Sequence, residues 1–522
     1  MRLDATTLRD HGALEADLCI VGGGPAGLAL AHELAARGLA CTLLESGGIP
    51  SISESQDLNA GTSAVDPYPD LRVSRCRAVG GTAAIWNTYL GGEAFAKYVP
   101  LDPIDFEHRE ALPGSGWPFG FADLEPYYRA AQAVCGLGPF DYRAMAWATE
   151  EARPLALTAG GITQSVYQLG AAARFTSALP GALERLPGVT LVEGATVTGF
   201  ELQGERISAL RWATLSGRSG TVRAGRVVLA AGAIENARLL LILGREAPFG
   251  LDPGDWLGRG FMEHPVDQSL RLVTRDPAAM SPAGFFGPRP TEFGAVTGRL
   301  GLSPDVLRAE GLLNASIRLL HDIDPAALRL PGLRSVARRL VPLRGLRRLL
   351  GNLARRGYRA TTSLRKAGVR VQLDLEQAAH RDNRVVLSGR LDAVGLPRPE
   401  LRWHWHAEDE ERRRRVRTAF IREIEESGVG RLVPSEPEPL ETAVHHHAGT
   451  TRMSLDPRHG VVDPAGRVHQ LENLFVTGAS VFPSAGVANP TLTAVALSLR
   501  LADYLDRGRR SPPPAGRTPG QS

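Results

Sequence analysis

The sequence predicts an α/β protein with a Rossmann-like sheet, and three observations carry that reading. Residues 17–45, DLCIVGGGPAGLALAHELAARGLACTLLE, join an apolar run, a glycine cluster, a helical stretch and a second apolar run ending on an acid. Residues 226–241, RVVLAAGAIENARLLL, repeat the order of strand, small-residue turn and amphipathic helix. Residues 471–480, LENLFVTGAS, add a further apolar run that meets Gly478. Open α/β sheets bind ligands at the C-terminal ends of their strands, where small residues let a ligand approach the backbone. The three segments therefore read as one dinucleotide-binding unit drawn from the start, middle and end of the chain. The alternative is three βα units in unrelated domains.

In the first segment Gly22, Gly24 and Gly27 have G-x-G-x-x-G spacing, and the helical stretch Ala26–Arg37 ends at Gly38. Gly22 suits the tight turn, Gly24 lets backbone approach a pyrophosphate, and Gly27 lets helix and strand pack closely. The helix N-terminus offers unpaired N–H groups and a partial positive charge to phosphates. Glu45 closes the second strand 23 positions after Gly22, placed to accept hydrogen bonds from a ribose. An acid there disfavours a 2′-phosphate and hence NADP; NAD and FAD remain open from this segment. The plainer reading is a glycine-rich turn without a ligand.

With 522 residues the chain has room for two large domains or three smaller ones. A net charge of +4 gives no argument for a nucleic-acid partner. Cys19, Cys41, Cys76 and Cys135 form no CxxC pair. That pattern speaks against a disulfide framework or a structural zinc site and fits a reducing compartment, so a cytoplasmic enzyme is expected. No apolar leader, twin-arginine pair or run of 18 apolar residues stands out. From Pro325 to Leu373 the chain carries many arginines and no acid, with leucine and valine at roughly helical spacing. Three readings stay open for 325–373: a solvated helical hairpin, a basic amphipathic surface for peripheral membrane contact, or a lid over a pocket. Residues 507–522, RGRRSPPPAGRTPGQS, read as a disordered tail.

The stretches GGGPAG, RAVGGTAAIWN (77–87), VVLAAGAIENARLLL, HHAGTTRM, GVVDPAGRVHQLENLFVTGASVFPS and ANPTLTAVALSLRLADYL together resemble the glucose–methanol–choline (GMC) family of FAD-dependent oxidoreductases. Their wording is most similar to its bacterial sugar-oxidising branch, the relatives of fructose and gluconate dehydrogenases and pyranose 2-oxidase. The resemblance implies FAD, its ADP half held by Gly22, Gly24, Gly27 and Glu45. Val197 matches the position whose backbone faces the adenine. Gly80, Gly81 and Thr82 match the loop over flavin and pyrophosphate, and Gly478 and Ala479 the strand end near the ribityl chain. Ile85 stands where some relatives carry a flavin-linked histidine, so non-covalent FAD is expected.

The family pattern H-x-x-G-T-x-x-M puts its histidine three residues before the glycine, which here is Gly449 and makes His446 the catalytic candidate. His445 and His447 fall outside the pattern and stay undecided; adjacent side chains on an extended segment face opposite ways, which disfavours a metal site. The partner implied is Asn489, 43 residues later. Removing hydride from an alcohol carbon requires its hydroxyl to lose a proton, and a neutral imidazole suits that task. Asn489 can hold the oxygen without competing for the proton. Without the resemblance, Asn489 reads as an N-cap with Pro490 at the first helical position. If that helix start faces the flavin, its dipole stabilises the reduced anion.

The resemblance also implies a domain division: an FAD-binding domain from 1–95, 180–265 and 440–506, and a substrate domain of a large sheet with helices behind it from 96–179 and 266–439. The expected reaction is oxidation of an alcohol group on a sugar, glycoside or sugar-bearing natural product, with oxygen, a quinone or a redox protein as electron acceptor. Glu376 is a weak candidate for the pocket, a structural acid being the plainer reading. A non-redox flavin lyase and a non-catalytic FAD-binding protein are the rival functions.

Overall fold

A computed structural model describes residues 1–48, 53–86, 88–90, 93–274, 284–320, 369–435, 440–442 and 445–510. The strand Gly12–Val21 buries its last four residues, ends at the glycine cluster and leads into the helix Pro25–Ala36. Alanine and leucine fill that helix, so its inner side packs closely on the sheet; Ala26 to Ala31 and Leu34 are all buried. A side chain on Gly27 would run into the carbonyl of Gly22, so the crossing needs glycine. Gly22 has a φ of +107°, open to glycine and costly to other residues.

Among the described residues the strands form three sheets. The first runs in the order Arg2–Asp4, Val189–Glu193, Cys41–Glu45, Gly12–Val21, Ser219–Leu229, Arg206–Ala213, Thr196–Gln203, and Leu474–Val476 also pairs with Ser219–Leu229. Its central pairs are parallel and its last two antiparallel. Leu229 pairs with both Val21 and Val476, so strands from three distant parts of the chain end side by side. The helices Gly232–Glu246 and Thr491–Arg510 leave from this end.

The second sheet is ten-stranded and antiparallel along its path, with Pro265–Thr274, Val369–Leu375, Ala315–Leu320, Gly294–Leu302, Ile162–Ala171 and Glu93–Tyr98 in that order across its middle. Strand alternation divides it. Ile317, Leu319, Val371 and Leu373 join Val416, Phe420 and Ile424 of the helix Ala407–Glu426 in one apolar core, while Ser316, Arg318, Gln372 and Asp374 share the opposite face. A small third sheet joins Thr62–Val65 to Pro397–Trp403 and Arg384–Leu391.

The expected division at 95/96 falls inside the strand Glu93–Tyr98. Of the arginine-rich stretch 325–373, residues 325–368 lie outside the described residues; 369–373 open the strand Val369–Leu375, where alternation turns the valines and Leu373 inward. Of the tail, 511–522 lie outside the described residues, and the last helix continues to Arg510. Among the described residues no helix is long and apolar enough to cross a membrane.

Candidate active site

A cavity opens at the ends of the first sheet's strands. It is lined by Gly22, Gly24, Glu45, Gly81, Thr82, Val197, Gly478, Ala479 and Pro490 among the predicted cofactor residues. Gly24 faces open space, with no protein atom within 4 Å of the position its Cβ would take. Gly27 and Gly80 stand behind the lining. Gly80 donates its N–H to the carbonyl of Gly23 at 2.8 Å and holds a φ of +94°, so it shapes the loop that Gly81 and Thr82 present to the cavity.

Glu45 is buried, and burial raises its carboxyl above the usual range. One oxygen accepts the Gly23 N–H at 2.7 Å and the other the Gly47 N–H at 2.8 Å. Each oxygen keeps a second lone pair, so a ribose diol remains within its capacity. Glycines that a side chain would block, an acid at the second strand's end and a helix start at the far side fit an adenine dinucleotide, and the cavity continues to Ala479, Pro490 and Thr491 as FAD requires. Arg75, Arg77 and Glu235 also line it, with Arg75 donating to Glu235 at 2.6 Å. These three were missed: nothing in their local spacing sets them apart.

The segment after His446 is strapped to the first sheet's end. Gly449 N donates to Ala479 O at 3.1 Å, Thr451 N to Ser480 O at 2.8 Å and Met453 N to Val481 O at 2.9 Å. Gly449 has a φ of +88°, and a side chain there would strike the Gly260 carbonyl. Ala448 and Met262 exchange both backbone bonds at 3.1 Å, which brings Glu263 and His264 beside His446.

The three histidines separate as an extended segment requires. His445 and His447 line the cofactor cavity. His445 Nδ1 lies 3.0 Å from the Ser74 carbonyl, and His447 Nε2 lies 2.9 Å from the Tyr68 hydroxyl. His446 turns the other way: its Nε2 is 2.8 Å from Asn489 Nδ2 and its Nδ1 is 3.0 Å from His264 Nδ1. The two predicted catalytic side chains therefore meet, next to the cavity wall at Pro490. Asn489 is not the helix cap expected from sequence. Ala494 N donates to Pro490 O at 2.9 Å, which makes Pro490 the residue that accepts the first turn's bond, and the Asn489 amide bonds His446 instead.

Burial holds His446 well below the usual histidine value; His264 and Lys97 oppose charge on it and Asp374 favours it. Burial also pushes His264 down to about 4 and Glu263 up to about 7. Glu263 is fully buried; it accepts the Tyr68 hydroxyl at 2.7 Å and the backbone N–H groups of His264 and His446 at 3.2 and 3.3 Å. On the polar face of the second sheet, Asp374 accepts from Gln372 at 2.6 Å and Arg318 at 3.1 Å, and the Lys97 ammonium stands 4.0 Å away. Burial lowers Lys97 to about 7. Glu376 does not reach a pocket: fully buried, it pairs with both terminal nitrogens of Arg109 and accepts the Asn314 N–H. Among the described residues no group of three or more His, Cys, Asp or Glu is placed to hold a metal.

Residues 379–498 match the family described as GMC oxidoreductase, and residues 17–249 the one described as FAD dependent oxidoreductase. The chain is 24% identical to the fructose dehydrogenase large subunit of Gluconobacter japonicus over 94% of its own length and 98% of that protein's. It is 26% identical to the paromamine 6'-oxidase of Streptomyces fradiae over 93% and 90%. Its fold matches the solved pyridoxine 4-oxidase from Mesorbium loti with a TM-score of 0.58 at 19% identity, covering 94% of this chain and 99% of that one.

Proposed function

Since this chain belongs to the GMC oxidoreductases and is an FAD-dependent enzyme acting on alcohols, we propose that its substrate is a sugar or glycoside, oxidised at one CH–OH group to the carbonyl. The observation that carries the reading is the meeting of His446 and Asn489 beside the cofactor cavity. Nε2 of His446 accepts the hydroxyl proton, because burial keeps the imidazole neutral at physiological pH. The Asn489 amide donates to the substrate oxygen and holds its lone pairs away from the base. When bound, FAD supplies the two-electron acceptor that takes the hydride from the carbinol carbon. The first turn of the helix Thr491–Arg510 lies at the cavity wall, and its dipole favours negative charge there.

The polar sheet face supports a hydroxyl-rich substrate. Lys97, Arg318, Gln372 and Asp374 supply donors and acceptors in quantity, and Lys97 and Asp374 lie close enough to act electrostatically on both His446 and His264. The relatives named for fructose and paromamine support the same class. Four cysteines that form no disulfide, three of them buried, support a reducing compartment, the cytoplasm, as the working location.

Anaerobic mixing with a sugar and glycoside panel tests the proposal. Bleaching of the yellow flavin by one member is expected, and reoxidation by oxygen, a quinone or a redox protein then identifies the acceptor. Turnover of a substrate without bleaching would favour a lyase, and no response to any member would favour a non-catalytic flavoprotein. Flotation with anionic liposomes tests the peripheral membrane contact through 325–373; salt-independent failure to float removes it.

A further inference from the structure

Taking His446 as the base of the proposed reaction, we propose that His264 is a positioning residue that fixes the tautomer of His446, so that the Nε2 lone pair faces the substrate. The two Nδ1 atoms are 3.0 Å apart and the rings meet edge to face at 69°, a hydrogen-bonding arrangement between the two nitrogens. A hydrogen bond between two imidazole nitrogens holds one proton, so one ring donates and the other accepts.

The neighbour of His446 decides which ring donates. The Asn489 amide nitrogen, a donor, faces Nε2 of His446 at 2.8 Å, which calls for a lone pair there and a proton on Nδ1. His446 therefore carries its proton on Nδ1 and donates to the His264 Nδ1 lone pair, and a neutral His264 whose Nδ1 accepts carries its own proton on Nε2. When His446 takes the substrate proton, its Nδ1–H bond to neutral His264 strengthens and the ring keeps its place. In serine hydrolases an aspartate performs this orienting task, and upsetting the tautomer there costs ~10⁴-fold in rate.

Burial keeps the acceptor neutral against the acids around the pair. Asp374 and Glu376 favour a charged His264 and Lys97 opposes it, with burial the largest influence. His445 and Lys97 oppose charge on His446, and Asp374 favours it. Glu263 holds the backbone N–H of both rings without touching either imidazole in the hydrogen bonds given above.

The test uses the holoenzyme with ¹⁵N-labelled histidine. The ring nitrogens of His446, assigned by difference from His446→Gln, report which one carries the proton. A proton on Nδ1 is expected, with exchange between tautomers in His264→Leu. In parallel, His264→Asn puts an acceptor oxygen at the place of Nδ1, whereas His264→Gln puts its amide carbon there and carries its polar atoms one bond further out. With D-fructose and D-glucose as probes, His264→Asn is expected to keep anaerobic flavin reduction within ~5-fold, and His264→Gln and His264→Leu to slow it by ~10²-fold or more. An Nε2 proton on wild-type His446, or wild-type reduction with an unchanged pH profile in His264→Leu, would overturn the proposal. So would equal losses in the Asn and Gln variants. If neither sugar bleaches the wild type, the sugar reading suffers alone and the ¹⁵N tautomer still judges His264. If His264→Leu does not retain flavin, the Asn and Gln pair decides.

Discussion

The side chain of Asn489 lies 2.8 Å from Nε2 of His446, although 43 residues separate them. Their meeting is built by backbone: the strap from Gly449 to Met453 pairs with 479–481, and the chain then passes Ala485 to the start of the last helix. In the proposed reaction an alcohol entering between His446 and Asn489 takes over that hydrogen bond at both ends, giving its proton to the ring and accepting from the amide.

His446→Ala is therefore expected to leave FAD bound, since His446 is absent from the cavity lining, yet to slow anaerobic flavin reduction by ~10²–10⁴-fold. Stopped-flow absorbance with a substrate from the panel measures this, and the ratio of flavin to protein absorbance checks retention. Reduction at the wild-type rate would remove the imidazole from the chemistry.

Asn489→Ala removes the proposed donor to the substrate oxygen and keeps the helix start, because Pro490 accepts the first-turn bond. A fall of ~10–10³-fold in the reduction rate is expected with little change in melting temperature, the size typical of losing one well-placed donor to a developing anion. A drop in stability with unchanged reduction would return Asn489 to the role of a structural cap.

The pH profile follows from the state of the base. As the proposed base His446 works when neutral, and burial holds it well below the usual histidine value. The rate of flavin reduction at low substrate should stay level as pH falls from 8 through about 6, past the ordinary histidine midpoint near 6.5. A limb centred at the ordinary value would mean that the ring is solvated.

Much of this site was legible before the structure because its signals are local. G-x-G-x-x-G works through three glycines within six residues, and Gly449 marks His446 because a positive φ leaves little choice of residue. His264 and Glu263 carried no such mark. They reach His446 through the pairing of Met262 with Ala448, a contact between segments 186 positions apart that no local spacing announces. Two adjacent ionisable residues inside the apolar run FMEHPV were the available signal. The polar sheet face was readable in VRVQLDL, whose alternation puts Arg370, Gln372 and Asp374 on one side, but that Asp374 would act on His264 and His446 depended on how the sheets assembled. The N-cap reading of Asn489 erred by one position, since cap and partner stand side by side in Asn489-Pro490.

Gly24 separates cofactor binding from folding. A Cβ there meets no protein atom within 4 Å, and its φ of −76° suits any residue. Gly24→Val should leave the melting temperature of the apoprotein unchanged and lower the FAD content of the purified protein, because the added atoms enter the cavity. Gly27→Val should lower both, since its side chain meets the Gly22 carbonyl. Full flavin content in Gly24→Val would show that the cofactor does not pass this loop.

Glu263 gives the fold a pH dependence of predictable sign. Its carboxyl is raised to about 7 by complete burial, so the folded protein binds its proton more tightly than the unfolded chain, where a glutamate titrates near 4.3. Between those values the folded state holds the extra proton, and stability falls as pH rises from about 4.3 through about 7 before levelling. The full difference amounts to ~3–4 kcal/mol at most. Glu263→Gln removes the titration. Its carbonyl can accept the backbone N–H groups of His264 and His446, and its amide can donate to the Tyr68 oxygen while Tyr68 donates to His447, so the local bonds survive. Denaturant melts between pH 5 and 8 should show a wild-type stability that declines relative to the variant across that range. A constant difference between the two proteins would mean that Glu263 is ionised throughout, and that the backbone N–H groups and the Tyr68 hydroxyl outweigh its burial.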